Sequence, residues 1–137
     1  MGVHSTYTEE IAENILDHIS STSDGLKVAC EKYGIHRSTF HRWLNERSDL
    51  CDKYARAKEL QAELLADEII EIADDSSHDE EITENGVRMN SEYVQRSKLR
   101  IDARKWKASK LNPQKYGDRV FNETTIVEQP LFGADNE

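Results

Sequence analysis

Hydrogen-bond donors are concentrated around Arg37 and Arg42, within the stretch LKVACEKYGIHRSTFHRW at residues 26–43. When a helix presents such donors to the DNA major groove, they reach base edges and phosphates. The two arginines suit guanine or phosphate, and Ser38 and Thr39 suit phosphate because they lie near a helix start with free backbone N–H groups. The candidate DNA-contacting residues are Lys27, Lys32, His36, Arg37, Ser38, Thr39, His41, Arg42, Asn45, Arg47 and Lys53. A small helical module for protein contact is the alternative.

Two short helices joined by a sharp turn would position these donors as a helix-turn-helix. Cys30 is small enough for a close helix crossing, and Gly34 supplies the turn. The side chains expected to point inward are Ala29, Tyr33, Ile35, Phe40 and Trp43, with Ile11, Ile15 and Ile19 of a preceding helix above them. The first predicted helix covers residues 7–20 and begins with a capping box of Thr6 and Glu9. A second helix is capped by Ser23 or Asp24, and a third covers residues 37–45.

Charge is segregated along the rest of the chain. Residues 61–87 contain ten acidic side chains and no Lys or Arg, whereas residues 88–119 contain ten basic side chains and three acidic ones. Helical spacing of apolar residues predicts long helices over residues 48–73, capped by the Ser48 hydroxyl, and over residues 91–111. If the link between them folds back, the two helices lie antiparallel with partial charge compensation. Two independently solvated faces are the alternative.

The connector and the C-terminal tail are less regular. Residues 74–90 predict an exposed connector, with an Asn-Gly turn or small hairpin at 85–86. Residues 119–127 are rich in Val, Thr and Ile and favour a short C-terminal strand, which must pair with a neighbouring copy or stay disordered. Leu131 and Phe132 predict a short docking peptide for a partner protein, with a frayed tail as the alternative.

The 137-residue chain is too weakly basic to hold DNA as a single copy. Its formal charge is −9, and residues 1–60 contain eight basic and ten acidic side chains. A copy with about three or four phosphate contacts binds non-specific DNA at only about 10⁻⁴ to 10⁻⁶ M at physiological salt. Because tethered copies raise the effective concentration of each contact, we expect a symmetric homo-oligomer. The candidate oligomerisation residues are Tyr54, Leu65, Ile69, Ile72, Leu99, Asp102, Arg104 and Trp106.

Several kinds of chemistry lack support in the sequence. There is no glycine-rich phosphate loop, zinc-ligand spacing or paired nucleophile and base, so we expect no catalytic site, cofactor or metal. The acidic connector with His78 lacks the rigid support that divalent ions require. No apolar run suits a membrane span or a secretory leader, which favours a soluble intracellular protein. Cys30 and Cys51 are expected to be buried thiols in a reducing cytoplasm.

Four longer motifs follow the helix-turn-helix. They are DKYARA at 52–57, IIEIAD at 69–74, LRIDARKW at 99–106 and NPQKYGD at 112–118. With the helix-turn-helix, the chain resembles the small terminase subunit of tailed double-stranded DNA bacteriophages over about residues 25–120. The last two motifs are the longest and the most specific.

The resemblance implies a ring-forming, non-enzymatic subunit that selects viral double-stranded DNA and works with the ATP-driven large terminase subunit in the host cytoplasm. It implies a mainly α fold in three parts. These are a helix-turn-helix domain over residues 1–47, a helical oligomerisation domain over 48–117 whose two long antiparallel helices form the ring wall, and a tail over 118–137 with a short β-strand. A transcription regulator or transposase-type DNA-binding module is the main alternative, and a scaffold without a DNA role is a third.

Overall fold

The computed structural model describes residues 6–118. The elements are α1 (Glu9–Ser21), α2 (Leu26–Lys32), α3 (Arg37–Glu46), α4 (Ser48–Asp74), β1 (Glu80–Thr83), β2 (Gly86–Met89), α5 (Ser91–Leu111) and α6 (Pro113–Tyr116). The fold is mainly α with one small antiparallel sheet, which confirms the predicted helix-turn-helix and the pair of long helices. The predicted strand at 119–127 and the tail residues Leu131 and Phe132 lie outside the described residues.

The first hydrophobic core joins α1, α2 and α3 to the first half of α4. Ile15 and Ile19 of α1 are buried as their helical spacing predicts. Phe40 and Trp43 are also buried, and the Tyr7 ring lies edge-on to Trp43 with 5.1 Å between ring centroids. The other buried members are Ala12, Leu16, Ala29, Cys30, Ile35, Leu50 and Ala57. The division of the chain at residue 47 stays a prediction, and the first core continues beyond it into α4.

The two cysteines lie in different environments. Both thiols are free, but Cys30 is buried whereas Cys51 is exposed, so the expectation of two buried thiols was wrong for Cys51. Burial raises the pKa of the Cys30 thiol to about 11 because the thiolate would lose its hydration, and the charge of Arg37 partly offsets this effect. Cys30 therefore serves as a small apolar side chain of the first core.

Three helix starts differ from the sequence predictions. α1 begins after Thr8, so Thr6 and Glu9 do not form the predicted capping box. α2 begins after Gly25, and neither of the two predicted polar residues caps it. Ser48 is the first residue inside α4 rather than its cap. Tertiary packing fixes these starts and overrides the local capping preference.

The long helices α4 and α5 pack side by side in opposite directions. Their contact contains a second hydrophobic core of Ala62, Leu65 and Ala108, with Leu111 and Tyr116 beside it. Two ion pairs cross from the acidic helix to the basic segment, Glu68 with Arg104 at 2.6 Å and Glu63 with Lys115 at 3.3 Å. The predicted antiparallel arrangement with partial charge compensation is therefore confirmed.

The connector between α4 and α5 contains the predicted hairpin. Its turn residues are Glu84 and Asn85 rather than the predicted 85–86, because Gly86 pairs with Thr83 as the first residue of β2. Gly86 has a φ of +114°, a conformation that L side chains rarely adopt. Asn90 then caps α5, because its Oδ1 accepts a backbone hydrogen bond at 3.1 Å from the first turn. The short α6 was not predicted. It is capped by Asn112, and Pro113 occupies the first position, where a backbone N–H is not needed.

Gln61 is a buried polar residue of α4 that the sequence patterns did not single out. Its Nε2 donates hydrogen bonds to the carbonyl oxygens of Thr22, at 2.8 Å, and Asp24, at 2.7 Å. These bonds tie the loop between α1 and α2 to the middle of α4. Gln61 thereby holds the first core at a fixed position along the long helix.

Replacing Gln61 by Ala is expected to lower the free energy of unfolding by about 1 to 3 kcal/mol, because two partly buried carbonyl groups lose their donor. Chemical denaturation followed by circular dichroism measures this loss. The matched control is Gln95→Ala at an exposed position of α5, where we expect a change below about 0.5 kcal/mol. Equal losses in the two variants would contradict the role assigned to Gln61.

Candidate nucleic-acid interface

A tight turn orients α3 on the first core. Gly34 has a φ of +74°, and the N–H of Ile35 donates to the carbonyl oxygen of Cys30 at 3.1 Å. The chain therefore reverses direction within a few residues after α2. Buried Phe40 and Trp43 hold one side of α3 against the core, so the opposite side faces solvent.

The solvent-facing side of α3 is polar. Arg37, His41 and Asn45 follow one another at intervals of four residues, which places them on one side of the helix, and all three are exposed. This side combines a guanidinium, an imidazole and an amide, which can all donate hydrogen bonds to base edges or phosphates. The structure thus brings three of the predicted DNA-contacting residues together.

His36 caps the N-terminus of α3. Its Nδ1 accepts a hydrogen bond from the backbone N–H of Ser38 at 3.1 Å, and the Ser38 Oγ lies 2.7 Å from the same nitrogen. This capping role was not predictable from the sequence because His is not among the preferred cap residues. Both side chains are exposed and lie where a helix start favours anions.

Two further candidates lie at the edge of the polar side of α3. Thr39 and Arg42 are partly buried, and the Arg42 Nε lies 3.9 Å from a carboxylate oxygen of Glu46 one turn later. Ion pairs of this kind between accessible side chains contribute about 0 to 1 kcal/mol. A phosphate is therefore able to compete with Glu46 for the Arg42 guanidinium.

The candidate lysines of α2 are exposed. The Lys27 Nζ lies 3.9 Å from a carboxylate oxygen of Glu31, and the Lys32 Nζ lies 5.7 Å from the centre of the Tyr33 ring. Neither contact buries its ammonium group, so both lysines retain hydrated positive charge on the helix that precedes α3.

Arg47 and Lys53 make structural contacts that the sequence did not reveal. The Arg47 guanidinium carbon lies 3.5 Å from the centre of the Tyr7 ring, a cation–π geometry. The Lys53 Nζ donates to Glu13 of α1 at 2.6 Å, and this hydrogen bond raises the pKa of Lys53. Lys53 connects α4 to α1, whereas Arg47, between α3 and α4, contacts a residue that precedes α1. The DNA contacts of both residues stay predictions.

The predicted oligomerisation residues divide into two groups. Tyr54 packs against Phe40 in the first core, Leu65 belongs to the second core, and Arg104 pairs with Glu68 of its own chain. Ile69 and Ile72 are partly buried, whereas Leu99, Asp102 and Trp106 are exposed on α5. The first group holds the protomer together, and the exposed group forms a surface that another copy can contact.

Residues 6–118 contain neither a candidate metal site nor a candidate membrane span. No group of three or more His, Cys, Asp or Glu side chains in this part of the chain is arranged to hold a metal ion. In the same range, none of the helices combines the length and apolar character needed to cross a bilayer.

Residues 7–123 match the family described as Bacteriophage Sf6, terminase small subunit-like. The chain belongs to this family of terminase small subunits. Two crystal structures of single-substitution variants of the terminase small subunit gp1 of the bacterial virus Sf6 are each 38% identical to this terminase small subunit, with a TM-score of 0.65 over 87% of this chain and 83% of theirs. A third variant is 37% identical, with the same TM-score over 87% of this chain and 88% of its own. No curated protein matches the chain.

Membership of the terminase small subunits gives this chain a role in phage DNA packaging. The family resemblance drawn from the motifs at 99–106 and 112–118 is confirmed. Terminase small subunits are in general non-catalytic DNA-binding subunits. The individual DNA-contacting and oligomerisation residues of this terminase small subunit stay predictions.

Proposed function

We propose that this terminase small subunit assembles into a ring of identical copies, binds viral double-stranded DNA through α3 and regulates the large terminase subunit in the host cytoplasm. The observation that carries the proposal is the exposed polar side of α3, held on a rigid core in a chain of this family. The chain acts by binding, and the large subunit supplies ATP hydrolysis and DNA cleavage.

Recognition by α3 fits the charges of the N-terminal half. Residues 1–60 contain eight basic and ten acidic side chains, so attraction for DNA must come from a local surface rather than from the whole module. Exposed Arg37, His41 and Asn45 supply such a surface, with Lys27 and Lys32 on the adjacent helix. Because one such surface binds weakly, several copies on one ring are needed to hold a duplex.

Assembly into a ring is supported by the apolar surface of the helix pair. Ile70 of α4 is 60% exposed, and Leu99 and Trp106 of α5 are 69% and 63% exposed. Leu99 and Trp106 lie two turns apart on the same side of α5, and large apolar side chains that share a surface usually mark a protein interface. We therefore assign copy-to-copy contacts to this surface, with Ile69, Ile72 and Asp102 beside it.

The large-subunit contact is assigned to the C-terminal tail. Leu131 and Phe132 are two large apolar residues in an otherwise polar terminus, which is a typical composition for a short peptide that docks on a partner. Placing this contact in the tail separates it from the DNA-binding surface of α3. One ring is then able to hold DNA and the large subunit at the same time.

Light scattering on the purified protein is expected to give a mass of many copies of the 15.8 kDa chain. The same complex should bind a duplex as one unit. When the DNA fragment is present in a smaller amount than the protein, the measured mass of the complex should correspond to one ring on each fragment. A dimer that binds a palindrome would instead favour a transcription regulator. A monomer that binds DNA tightly at high salt would contradict the proposal.

A further inference from the structure

The two faces of the β1–β2 hairpin differ in character. Ile82 pairs with Val87 and Glu80 pairs with Met89, so these four side chains share one face because side chains alternate along a strand. Ile82, Val87 and Met89 are 90%, 64% and 66% exposed. The opposite face carries Thr83 and an ion pair between Glu81 and Arg88. The hairpin therefore presents one apolar face that neither hydrophobic core covers.

A two-stranded hairpin is marginally stable by itself in water and normally needs packing against another element. The short β1–β2 hairpin has four residues in each strand, and its three large apolar side chains are directed to one side. Covering that side with apolar surface would remove it from water and stabilise the hairpin. The exposed face therefore indicates a contact with a partner.

A groove suited to this face lies at the same end of the helix pair. It opens between α4 and α5, has a volume of about 290 Å³ and is lined by Ile72, Ala73, Val94 and Ile101, with Lys98, Ser97, Asp75 and Asp79 around them. We call it the hairpin-end groove. A cavity of about 150 Å³ accommodates benzene, so the groove has room for two aliphatic side chains.

We propose that the apolar face of the hairpin of one copy docks into the hairpin-end groove of the neighbouring copy. This inference rests on the proposed ring. In a ring with cyclic symmetry, equivalent elements lie at the same height along the axis, so the hairpin of one copy and the groove of the next are at a height where they can meet. A strand of four residues extends about 13 Å, whereas the diameter of one helix is about 10 Å. The hairpin is therefore long enough to reach across one helix of the neighbouring copy.

Charge complementarity favours this occupant. The hairpin, at residues 80–89, carries three acidic side chains and one basic side chain, whereas Asp75 and Asp79 line the groove. Helix α5, which forms one wall of the groove, carries seven basic and two acidic side chains. A contact between the hairpin and the neighbour's α5 therefore joins opposite charges around an apolar centre, as in typical protein interfaces.

Cross-linking between copies tests the contact directly. In a Cys51→Ser background that retains buried Cys30, a copy with Ile82→Cys is co-expressed with a differently tagged copy with Val94→Cys. Because the two kinds of copy mix at random around a ring, mild oxidation is expected to link up to about half of the protein into mixed disulfide-bonded dimers. The matched control replaces Thr83, on the opposite hairpin face, by Cys and should give few mixed dimers. Equal linking from both hairpin positions would overturn the proposal, as would linking of Ile82→Cys mainly to itself.

Ring stability gives a second readout. We expect Ile82→Asp with Val87→Asp to raise the protein concentration at which the ring dissociates by about tenfold or more. Thr83→Asp with Asn85→Asp introduces the same two charges away from the apolar face and should leave this concentration nearly unchanged. A ring that dissociates alike in both variants would overturn hairpin docking while leaving the proposed function intact. An unaltered protein that is monomeric would instead contradict the proposed function itself.

Discussion

Replacing both Arg37 and Arg42 by Ala is expected to weaken duplex binding by at least about 30-fold for each engaged copy. A DNA-contacting arginine contributes about 1 to 3 kcal/mol, and the two together correspond to this factor at the lower limit. The dependence of log affinity on log salt should also flatten, by about one unit per copy for each of the two arginines that contacts a phosphate. Fluorescence anisotropy with a labelled duplex at several salt concentrations measures both effects.

The control for this experiment removes the same charge elsewhere. Arg56→Ala with Arg88→Ala changes exposed arginines of α4 and the hairpin, outside the polar side of α3. We expect this variant to bind nearly as tightly as the unaltered protein and to retain most of its salt dependence. If the two double variants bound DNA equally well, α3 would not be the recognition surface.

Trp43→Ala is expected to lower the free energy of unfolding of the protomer by about 3 to 5 kcal/mol. The Trp43 side chain is 1% exposed and packs against Tyr7 and Phe40, so its removal leaves a large cavity in the first core. Because natural domains are stable by only about 5 to 15 kcal/mol, much of the N-terminal half would unfold. Thermal and denaturant unfolding followed by circular dichroism measure the loss.

Trp106→Ala is a control with the same change in side chain. Trp106 is 63% exposed on α5, so its replacement should change protomer stability by less than about 0.5 kcal/mol. Any stability that it loses through weaker assembly should depend on protein concentration, whereas the loss in Trp43→Ala should not. If the Trp106 variant were as unstable as the Trp43 variant at low protein concentration, the assignment of Trp43 to the core and Trp106 to the surface would be wrong.

Periodic patterns were sufficient to predict the main elements of the fold. The spacing of Ile15 and Ile19, and of Phe40 and Trp43, correctly placed these side chains in one core because burial imposes helical periodicity on apolar residues. Opposite charge in residues 61–87 and 88–119 correctly indicated antiparallel neighbours. An Asn-Gly pair was enough to predict the hairpin, since glycine adopts the backbone conformation found at Gly86.

Contacts between residues far apart in the sequence were not predictable. Lys53 binds Glu13 across 40 positions, Arg47 lies over the ring of Tyr7, and Gln61 binds carbonyl groups of the loop between α1 and α2. No local pattern distinguishes these side chains from solvated ones, because each contact depends on how helices meet in space. For the same reason the sequence pattern proposed Arg47 and Lys53 for DNA without showing that both contact side chains at the N-terminal end of the described chain.

The candidate DNA surface was predictable in composition but not in geometry. The residue types of α3 indicated donors for DNA, and the structure shows that Arg37, His41 and Asn45 form its exposed side. The capping contact between His36 and Ser38 depends on the extended backbone of His36 just before α3, which places its side-chain nitrogen next to a backbone N–H. Local sequence preferences rank His below Ser, Asp and Asn for this role.

Helix α4 runs for 27 residues without Gly or Pro and belongs to both cores, through Leu50 and Ala57 at one end and Ala62 and Leu65 further along. At 1.5 Å per residue, α4 is about 40 Å long. If α3 holds a duplex in a ring, as we propose, tension in that duplex exerts a torque on α4, which passes it to α5 through the second core. The proposal then predicts that the tilt of the DNA-binding helices and the inclination of the helix pairs in the ring change together under mechanical load.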